Sequence, residues 1–543
     1  MVHLRRITAL LVVAIAAQAG CGASNRPARK ATGNRKTAQQ PASAPGLRRP
    51  ELGEAGNAET HLVRGLLKAL PGVKAFSEQS EADARQILRD GDEILARIKR
   101  ENRAALAEVN RQVRVKRCDA PNIILIVVDD VGYGDLGCYG QEQIVTPEID
   151  RMAAEGIRFT EFYAGSSLGT PSRCTLMTGM HGGHARIRGR RVIPLKPADL
   201  TVAEVLWKAG YKTGLVGKWG LGGAGTTGTP NRQGFYHFLG YLAAEHAMHY
   251  WPEFLWLNEA KLPLSSNAEG RKTKYSDDLF TQEALAFIER YQSGPFFLSV
   301  DYTDVHVPLE VPSDEPYEDK DWPVWAKHYA AMITRVDGYV GRILNHLDAL
   351  KLADRTIVFF TSDNGPSDEQ GVDPNFFHSA GLLRGIKGEL YEGGIRVPMI
   401  VRWPGHIGPG AVSDEVWTAA DFLPTAAALA NAMRRPRNID GHSIAPAIVG
   451  GIAGDPTVRG VVGEHEFLYW ELHDRGQVGR AVRMGNWKAV RQTWDAPIEL
   501  YDLQEDPTEK DNEAADHPKV VRRVEKIMND AHLDSPDWPV QAK

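Results

Sequence analysis

The chain of 543 residues has little cysteine, no excess of positive charge and only a short hydrophobic run at its start. It contains four cysteines, one of which, Cys21, lies near the amino terminus. The three others are an odd number that cannot all pair within one chain, so no disulfide framework is implied. A formal net charge of −5, with no basic run in the body of the chain, gives no support to a nucleic-acid partner.

The amino-terminal segment is too short to span a bilayer but resembles an export signal. Two arginines precede the apolar run 7–17, which has the length of the hydrophobic part of a signal peptide. Residues 19–21 (Ala-Gly-Cys) resemble a bacterial lipobox in which Cys21 becomes lipidated, although Gln18 stands where that motif usually has Leu or Val. The alternative is a plain secretory signal that is cut nearby. Both interpretations predict export, the first as a periplasm-facing or cell-surface lipoprotein of a bacterium.

Membrane attachment through Cys21 is a prediction that one substitution tests. One acyl chain holds a protein weakly, so stable anchoring needs the further chains of a mature lipoprotein. We expect Cys21→Ser to move the protein from the membrane fraction to the soluble fraction when a bacterial host is fractionated, whereas Cys138→Ser leaves it in place. A Cys21→Ser protein that stays with the membrane would rule out the lipobox interpretation.

Composition divides the chain into five segments. Residues 1–20 form the predicted signal peptide, and residues 21–57 predict a flexible basic tether because they are too poor in apolar surface to fold. Residues 58–118 place apolar side chains at three- and four-residue spacings, which predicts a helical extension that packs on itself or on the main domain rather than a dimerisation element. Residues 119–450 form the predicted main domain. Residues 451–543, with short strands, turns and a final helix, form a smaller subdomain.

Two buried strands are predicted to end in acidic residues. The runs 122–128 and 356–361 are nearly continuous β-branched and aromatic sequences, which is typical of strands covered on both faces of a sheet. The first run ends at Asp129 and Asp130, and the second is followed closely by Asp363. The sites of α/β folds lie at the carboxyl ends of strands, where two adjacent carboxylates would be costly without a cation. Such hard oxygen ligands suit Ca²⁺ or, alternatively, Mg²⁺.

Residues 166–179 (S-S-L-G-T-P-S-R-C-T-L-M-T-G) have the features of a helix start. Thr170 can cap the helix, and Pro171 suits its first turn. The free backbone N–H groups of such a start, with Arg173 one turn in, form a seat for a tetrahedral anion. A capped helix with one arginine is by itself weak support for an anion site, so the interpretation depends on the neighbouring motifs.

The sequence P-S-R-x-x-L-M-T-G at 171–179 resembles the signature of the sulfatases, a branch of the alkaline phosphatase superfamily, whose pattern is C-x-P-S-R followed by L-x-T-G. In that family the first position is a Cys, less often a Ser, which a maturation enzyme oxidises to the nucleophile formylglycine. Gly169 stands at this position, so no formylglycine is expected here. The resemblance includes G-K-W-G-L-G at 217–222 and Y-E-G-G-x-R-x-P at 391–398, and it covers roughly residue 121 to the end.

The resemblance implies a set of site residues. By residue match, the metal ligands are Asp129, Asp130, Asp363 and Asn364, and the catalytic positions are Gly169, Arg173, Lys218, His306 and Lys387. Both lysines would meet sulfate oxygens, and His306 would protonate the leaving alcohol, which suits the chemistry of histidine. Gly220 replaces a His that many members have, a change that some relatives share. Two interpretations remain open for His246 and His249. In the first, one of these histidines lines the pocket; in the second, both are core or surface residues.

The resemblance also implies a fold and several functions. The fold is α/β, a mixed and largely parallel sheet sandwiched by helices, alkaline phosphatase-like, with a small C-terminal α+β subdomain. The first hypothesis is an arylsulfatase-like hydrolase of sulfate esters on small molecules or glycans, against which stands Gly169. The alternatives are a non-catalytic pseudo-sulfatase that binds sulfated glycan and a metal-dependent phosphate or sulfate ester hydrolase in which water attacks directly. Thr170 occupies the variable position of the motif and is expected to point away from the reacting centre.

Overall fold

The computed structural model describes residues 120–191, 193–432, 438–450 and 465–540. The predicted signal peptide, basic tether and helical extension lie outside these ranges. Within them, no helix combines the length and the apolar character that crossing a bilayer requires.

A ten-stranded sheet forms the centre of the main domain. Its strands, numbered by chain position and given in spatial order, are β11 (Ala411–Ser413), β2 (Ile157–Phe159), β10 (Met399–Arg402), β9 (Thr356–Ser362), β1 (Asn122–Val128), β8 (Phe296–Asp301), β4 (Lys212–Lys218), β5 (His237–Tyr241), β6 (Phe254–Leu257) and β7 (Ala260–Pro263). Strands β9, β1, β8, β4 and β5 are parallel, while β10, β6 and β7 run antiparallel to their neighbours. The prediction of a mixed, largely parallel sheet is confirmed.

Helices cover both faces of this sheet, and every residue of β1 is therefore buried. Helices are also numbered by chain position. On the face of Ile124 and Ile126 the core is completed by α1 (Pro147–Ala154), α4 (Ser276–Tyr291) and α5 (Val324–Ala349). On the face of Ile123 and Leu125 it is completed by α2 (Gly169–Thr178), α3 (Val202–Lys208), α7 (Phe422–Leu429) and α8 (Ala445–Gly450). A two-stranded sheet of β3 (Phe162–Tyr163) and β12 (Trp417–Thr418) lies apart from the central one.

The C-terminal subdomain is a four-stranded antiparallel sheet with one helix. Its strands follow in chain order as β13 (Leu468–Asp474), β14 (Gln477–Met484), β15 (Trp487–Arg491) and β16 (Glu499–Asp502), and the helix is α9 (Pro518–Asp530). Val524 and Met528 of α9 pack on the sheet. Lys488 of β15 joins the subdomain to the short helix α6 (Glu392–Ile395) by a buried ion pair with Glu392. The predicted α+β subdomain is confirmed.

The start of α2 differs from the prediction. The helix begins at Gly169, its N-cap residue is Leu168 in an extended conformation, and no side chain within the described ranges caps it. The carbonyl of Leu168 accepts the first helical hydrogen bond from the N–H of Ser172 at 3.1 Å, so Thr170 already lies inside the first turn. The prediction that Thr170 caps the helix is therefore wrong.

Candidate functional site

Four neighbouring parallel strands bring polar residues to one edge of the sheet. The pairing places Val128 beside Ser362 and Val127 beside Asp301, so the residues that follow β1, β9 and β8 emerge together. In the spatial order β9, β1, β8 and β4, the residues at these strand ends are Asp363 with Asn364, Asp129 with Asp130, Asp301, and Lys218. This is the edge at which α/β folds form their sites.

The two predicted acidic pairs form one buried cluster, which we call the acid cluster: Asp129, Asp130, Asp363 and Asn364. The Nδ2 of Asn364 donates to Oδ1 of Asp130 at 2.8 Å, and the N–H of Asp130 donates to Oδ1 of Asp363 at 3.4 Å. In the part of the chain that the structure describes, Oδ1 of Asp129 and Oδ1 of Asn364 are buried without a hydrogen-bond partner. Unsatisfied buried oxygens among three carboxylates fit a hard divalent cation such as Ca²⁺ or Mg²⁺.

Arg173 lies beneath the acid cluster and pairs with two carboxylates. Its Nε donates to Oδ2 of Asp363 and its Nη1 to Oδ2 of Asp301, both at 2.9 Å, and all three side chains are about 1% exposed. Burial raises the pKa of Asp301 to about 6, which Arg173 opposes. Arg173 therefore neutralises buried acids. It is not one of the described residues that line the cavity.

The two predicted lysines reach the acid cluster from the side of the cavity. The Nζ of Lys218 contacts the Asp129 carboxylate, and the Nζ of Lys387 lies 2.7 Å from Oδ2 of Asp130. Lys387 also pairs with Oε2 of Glu369 at 3.0 Å. Both lysine side chains are nearly buried yet border the cavity. The structure thus brings both lysines to the acid cluster and to the cavity.

The ionisation of the acid cluster reflects a competition between burial and charge. Burial alone would raise the pKa of Asp129, but the charges of Lys218, His306 and Arg173 outweigh it and lower that pKa. Burial, assisted by the charge of Asp129, raises the pKa of Asp363 to about 7. Neighbouring carboxylates resist common ionisation, so the cluster favours additional positive charge.

A cavity of about 530 Å³ opens above the acid cluster. The lining residues that matter here are Asp129, Gly169, Thr170, Arg190, Lys218, Glu245, Met248, His306, Glu369 and Lys387. The sequence predicts that Thr170 points away from the reacting centre, but Thr170 borders the cavity, and its Oγ1 lies 3.4 Å from where a Cβ on Gly220 would stand. Basic and acidic side chains therefore line a cavity whose volume suits a small-molecule ligand.

Gly169 lies where the helix start meets the acid cluster. A Cβ on Gly169 would stand 2.7 Å from Oδ2 of Asp363 and 3.5 Å from Oδ1 of Asn364. Any side chain at this position would point at the cluster oxygens. The glycine therefore leaves the predicted nucleophile position without a reactive group.

His306 lies at the opening of the site. Its Nδ1–H donates to the carbonyl of Val307 at 2.6 Å, which directs Nε2 toward Oδ2 of Asp130 at 4.0 Å. Burial lowers the pKa of His306. With Nδ1 engaged, Nε2 is the ring nitrogen that can exchange a proton with a ligand in the cavity.

His246 and His249 are core and surface residues, as the second interpretation of their segment predicts, and neither lines the cavity among the described residues. The ring of His246 packs against Phe254 and Tyr241 at 4.4 Å and 4.8 Å between centroids. His249 is exposed, and its carbonyl accepts from the Tyr241 hydroxyl. Among the described lining residues, this segment contributes Ala244, Glu245 and Met248 instead.

Sequence reasoning missed three charged residues of the site. Asp301 ends a buried strand, and this signal, which marked Asp129, would have found it. Glu369 and Arg190 form an ion pair at 3.4 Å, and both border the cavity. Neither has a local signal, because their chain segments meet only in the folded protein.

Two family models match this chain. The model described as Sulfatase matches residues 121–432, and the model described as N-sulphoglucosamine sulphohydrolase, C-terminal, matches residues 387–533. Their overlap begins at Lys387, so together they extend from β1 into α9 and beyond. The two matches span the main domain and the C-terminal subdomain.

Individual proteins are similar over the same region. An N-acetylgalactosamine-6-O-sulfatase of Bacteroides thetaiotaomicron is 32% identical over 490 residues, which cover 75% of this chain and 92% of that protein. Arylsulfatase A of Homo sapiens is 33% identical over 471 residues, covering 76% and 88%. The crystal structure of Ps i-CgsB in complex with k-i-k-neocarrahexaose is 28% identical, with a TM-score of 0.66 over 78% of this chain and 95% of that chain. The alkaline phosphatase-like fold is confirmed, and this chain belongs to the sulfatase family.

Proposed function

We propose that this protein binds sulfated saccharides in the cavity above the acid cluster and that it does so without formylglycine chemistry. The observation that carries the proposal is the position of Gly169. A side chain there would point at the cluster oxygens, and glycine provides none that could be oxidised. The cationic residues around Gly169 remain, so the protein keeps the positive charge that recognises a sulfate ester but lacks the group that would attack it.

Lys218 and Lys387 would provide the recognition. Each ammonium group has three donors, so a lysine that holds one or two carboxylates can also donate to a sulfate oxygen in the cavity. When bound at the acid cluster, a Ca²⁺ or Mg²⁺ ion would supply further positive charge for an anionic ligand. Hydrogen bonds between charged partners are about twice as strong as neutral ones, which favours sulfate esters over unsulfated sugars.

The saccharide part of the proposal rests on the relatives. One is an N-acetylgalactosamine-6-O-sulfatase, and one similar structure was solved with a neocarrahexaose. A cavity of about 530 Å³ lies within the range of small-ligand sites, about 300–1,000 Å³. Arg190 and Glu369 border it and offer polar groups that a sugar can contact.

A second candidate function is direct hydrolysis of a sulfate or phosphate ester by water. The position of His306 favours it, because this residue borders the cavity and its Nδ1 is engaged by a carbonyl. Nε2 can take a proton from water as the water oxygen attacks sulfur or phosphorus, and it can pass that proton to the ester oxygen as this oxygen leaves. The rate would be small: in well-studied hydrolases, loss of the nucleophile leaves about 10³-fold over water.

Binding by calorimetry tests the proposed function. We expect the full mature protein to bind N-acetylgalactosamine 6-sulfate or a sulfated carrageenan oligosaccharide, but not the unsulfated sugars. Lys387→Met should weaken binding at least tenfold, because a charged hydrogen bond contributes about 1.5–3 kcal/mol and each 1.4 kcal/mol is about tenfold.

Lys526→Met is the matched control, because it removes the same charge from an exposed pair with Asp530. Equal binding by both variants, or equal binding of sulfated and unsulfated sugars, would contradict the proposal. Release of sulfate by the native protein, lost in His306→Gln, would favour the hydrolytic candidate instead.

A divalent cation in the acid cluster is a separate prediction. We expect about one Ca²⁺ or Mg²⁺ per chain in elemental analysis, because a cation relieves the repulsion of three buried carboxylates. Chelation should lower the thermal unfolding midpoint, and Ca²⁺ at about 100 times its dissociation constant should restore about 2.7 kcal/mol of stability. Asp130→Asn should abolish this response to Ca²⁺. A native protein without bound metal and without a chelator effect would contradict the prediction.

A further inference from the structure

A second group of possible metal ligands lies at the other end of α2. His181 and His184 follow this helix, and Asp440 comes from the segment 438–450. Each of the three offers one donor atom, and these atoms all lie within 4.8 Å of one another. The side chains are 15%, 30% and 22% exposed, so an ion can reach them from solvent.

The distances between donor atoms suit a small cation. The Nδ1 of His184 lies 2.9 Å from Oδ1 of Asp440, and Nδ1 of His181 lies 3.8 Å from Oδ2. Four ligands arranged tetrahedrally around Zn²⁺ at about 2.0–2.1 Å stand about 3.3 Å apart. The two observed distances lie on either side of this value, so binding of an ion would require side-chain rotations, with the fourth position left to water.

Backbone hydrogen bonds hold the three residues in place. The N–H groups of His184 and Ala185 donate to the His181 carbonyl at 2.9 Å and 2.8 Å, and this turn stacks the two imidazole rings at 4.3 Å. The N–H of Asp440 donates to the carbonyl of Gly179 at 2.9 Å, and the N–H of His181 donates to Oδ2 of Asp440 at 2.9 Å. The ligand set is therefore preorganised by two segments that bind each other.

The ring nitrogens of both histidines have hydrogen-bond partners. The N–H of Gly183 donates to Nδ1 of His181 at 3.2 Å, and Nδ1 of His184 lies 2.9 Å from Oδ1 of Asp440. Nδ1 of His181 therefore carries a lone pair and not a proton, and an ion bound to it would replace the hydrogen bond from Gly183.

We propose that His181, His184 and Asp440 bind a divalent transition-metal ion of the Zn²⁺ class, at a site separate from the acid cluster. Two imidazoles with one carboxylate are typical of zinc and related ions, whereas Ca²⁺ prefers oxygen ligands alone. An adjoining cavity of about 170 Å³, bordered also by His442 and His465, leaves room for water as a further ligand.

The ion would have a structural role. It joins the turn after α2 to the segment of Asp440, at the carboxyl end of the helix whose amino end carries Gly169 and Arg173. Because α2 has 10 residues, the two ends are about 15 Å apart, so the ion acts on the position of the helix and not on the ligand of the cavity.

Zinc binding by the metal-free full chain tests this proposal. With excess Ca²⁺ present to occupy the acid cluster, we expect calorimetry to find one further Zn²⁺ per chain, and Co²⁺ to give the visible absorption of a site with nitrogen ligands. His184→Gln should weaken Zn²⁺ binding at least about 100-fold, because changes even to groups that only support metal ligands cost 10–100-fold. His517→Gln, which alters an exposed histidine paired with Glu513, should bind like the native protein.

Asp440→Asn provides a second test that keeps the shape of the side chain and covers the case in which His184→Gln does not fold. Asp130→Asn should retain the Zn²⁺ and Co²⁺ signals. Unchanged Zn²⁺ binding in both His184→Gln and Asp440→Asn, or its loss in Asp130→Asn alone, would overturn the proposal. So would a native protein that binds no Zn²⁺ once Ca²⁺ is present.

Discussion

Gly169→Cys, produced together with the formylglycine-generating maturation enzyme, is expected to raise sulfate ester hydrolysis at least ~10²-fold over the native protein, a modest demand because loss of a nucleophile can cost up to about 10⁶. The substitution recreates Cys-Thr-Pro-Ser-Arg, which contains every fixed element of the maturation motif. Asp129 of the acid cluster, both lysines and His306 already border the same cavity.

The structure shows how such a side chain would fit. Gly169 is the first residue of α2, so its backbone accepts a Cβ. That Cβ would stand 2.7 Å from Oδ2 of Asp363, which is too close for an ordinary contact, so the end of this side chain, which is paired with Arg173, has to shift. The new group would then lie beside the acid cluster.

Gly169→Ala is the matched control, because it adds the same Cβ but cannot be oxidised. A mass spectrum of the peptide that contains residue 169 measures conversion, and a panel of aryl and sugar sulfates measures the rate. Complete conversion without a gain in rate would mean that the pocket has drifted since the nucleophile was lost, and it would favour the binding role.

Gly220 does not need to be substituted together with Gly169. Its φ of +79° lies in the left-handed region, where a histidine would be strained whatever the space around it. The glycine at this position is therefore explained by its backbone, without assuming that a catalytic group was lost.

Lys488→Met is expected to lower the free energy of unfolding by about 3–5 kcal/mol, because breaking a buried ion pair leaves an uncompensated charge. The Nζ of Lys488 lies 2.9 Å from Oε1 of Glu392 and 3.2 Å from Oε1 of Glu509, and all three side chains are 0% exposed. Methionine keeps an unbranched apolar chain in place of the lysine stem, so the loss of stability mainly reflects the removed charge. Denaturant unfolding measures it.

The effect of Lys488→Met should depend on pH. Burial raises the pKa of Glu509 from 4.5 to about 7 even beside Lys488. The folded carboxyl then binds its proton more tightly than the unfolded one, so its contribution to stability is lost as pH rises through this range. Without the lysine the shift grows, and the deficit should be larger near pH 8 than near pH 6.

Lys526→Met is the control for this prediction as well. Lys526 and Asp530 form an exposed pair on α9, and exposed pairs contribute about 0–1 kcal/mol. Similar losses in the two variants, or a deficit that does not change with pH, would contradict the assignment of Lys488 as the charge between two buried acids.

Much of the site could be read from local sequence. The runs of β1 and β9 are mostly apolar, which identifies strands buried on both faces, and the structure brings their acidic ends together because the two strands are parallel and adjacent. Lys218 and Lys387 were found by motif and lie at the same cavity. Periodicity and the family pattern are properties of short segments, which is why the sequence was sufficient for these residues.

Tertiary structure alone decided which charges pair. Arg173, which the motif predicts to lie at the anion site, pairs with Asp301 and Asp363, and Lys488 was not singled out at all. His181 meets Asp440 across 259 residues of sequence. The sequence by itself determined the elements, the acidic strand ends and the missing nucleophile, because each is written in neighbouring residues. Only the fold could choose partners for buried charges, because burial makes pairing obligatory without encoding which distant side chain provides it.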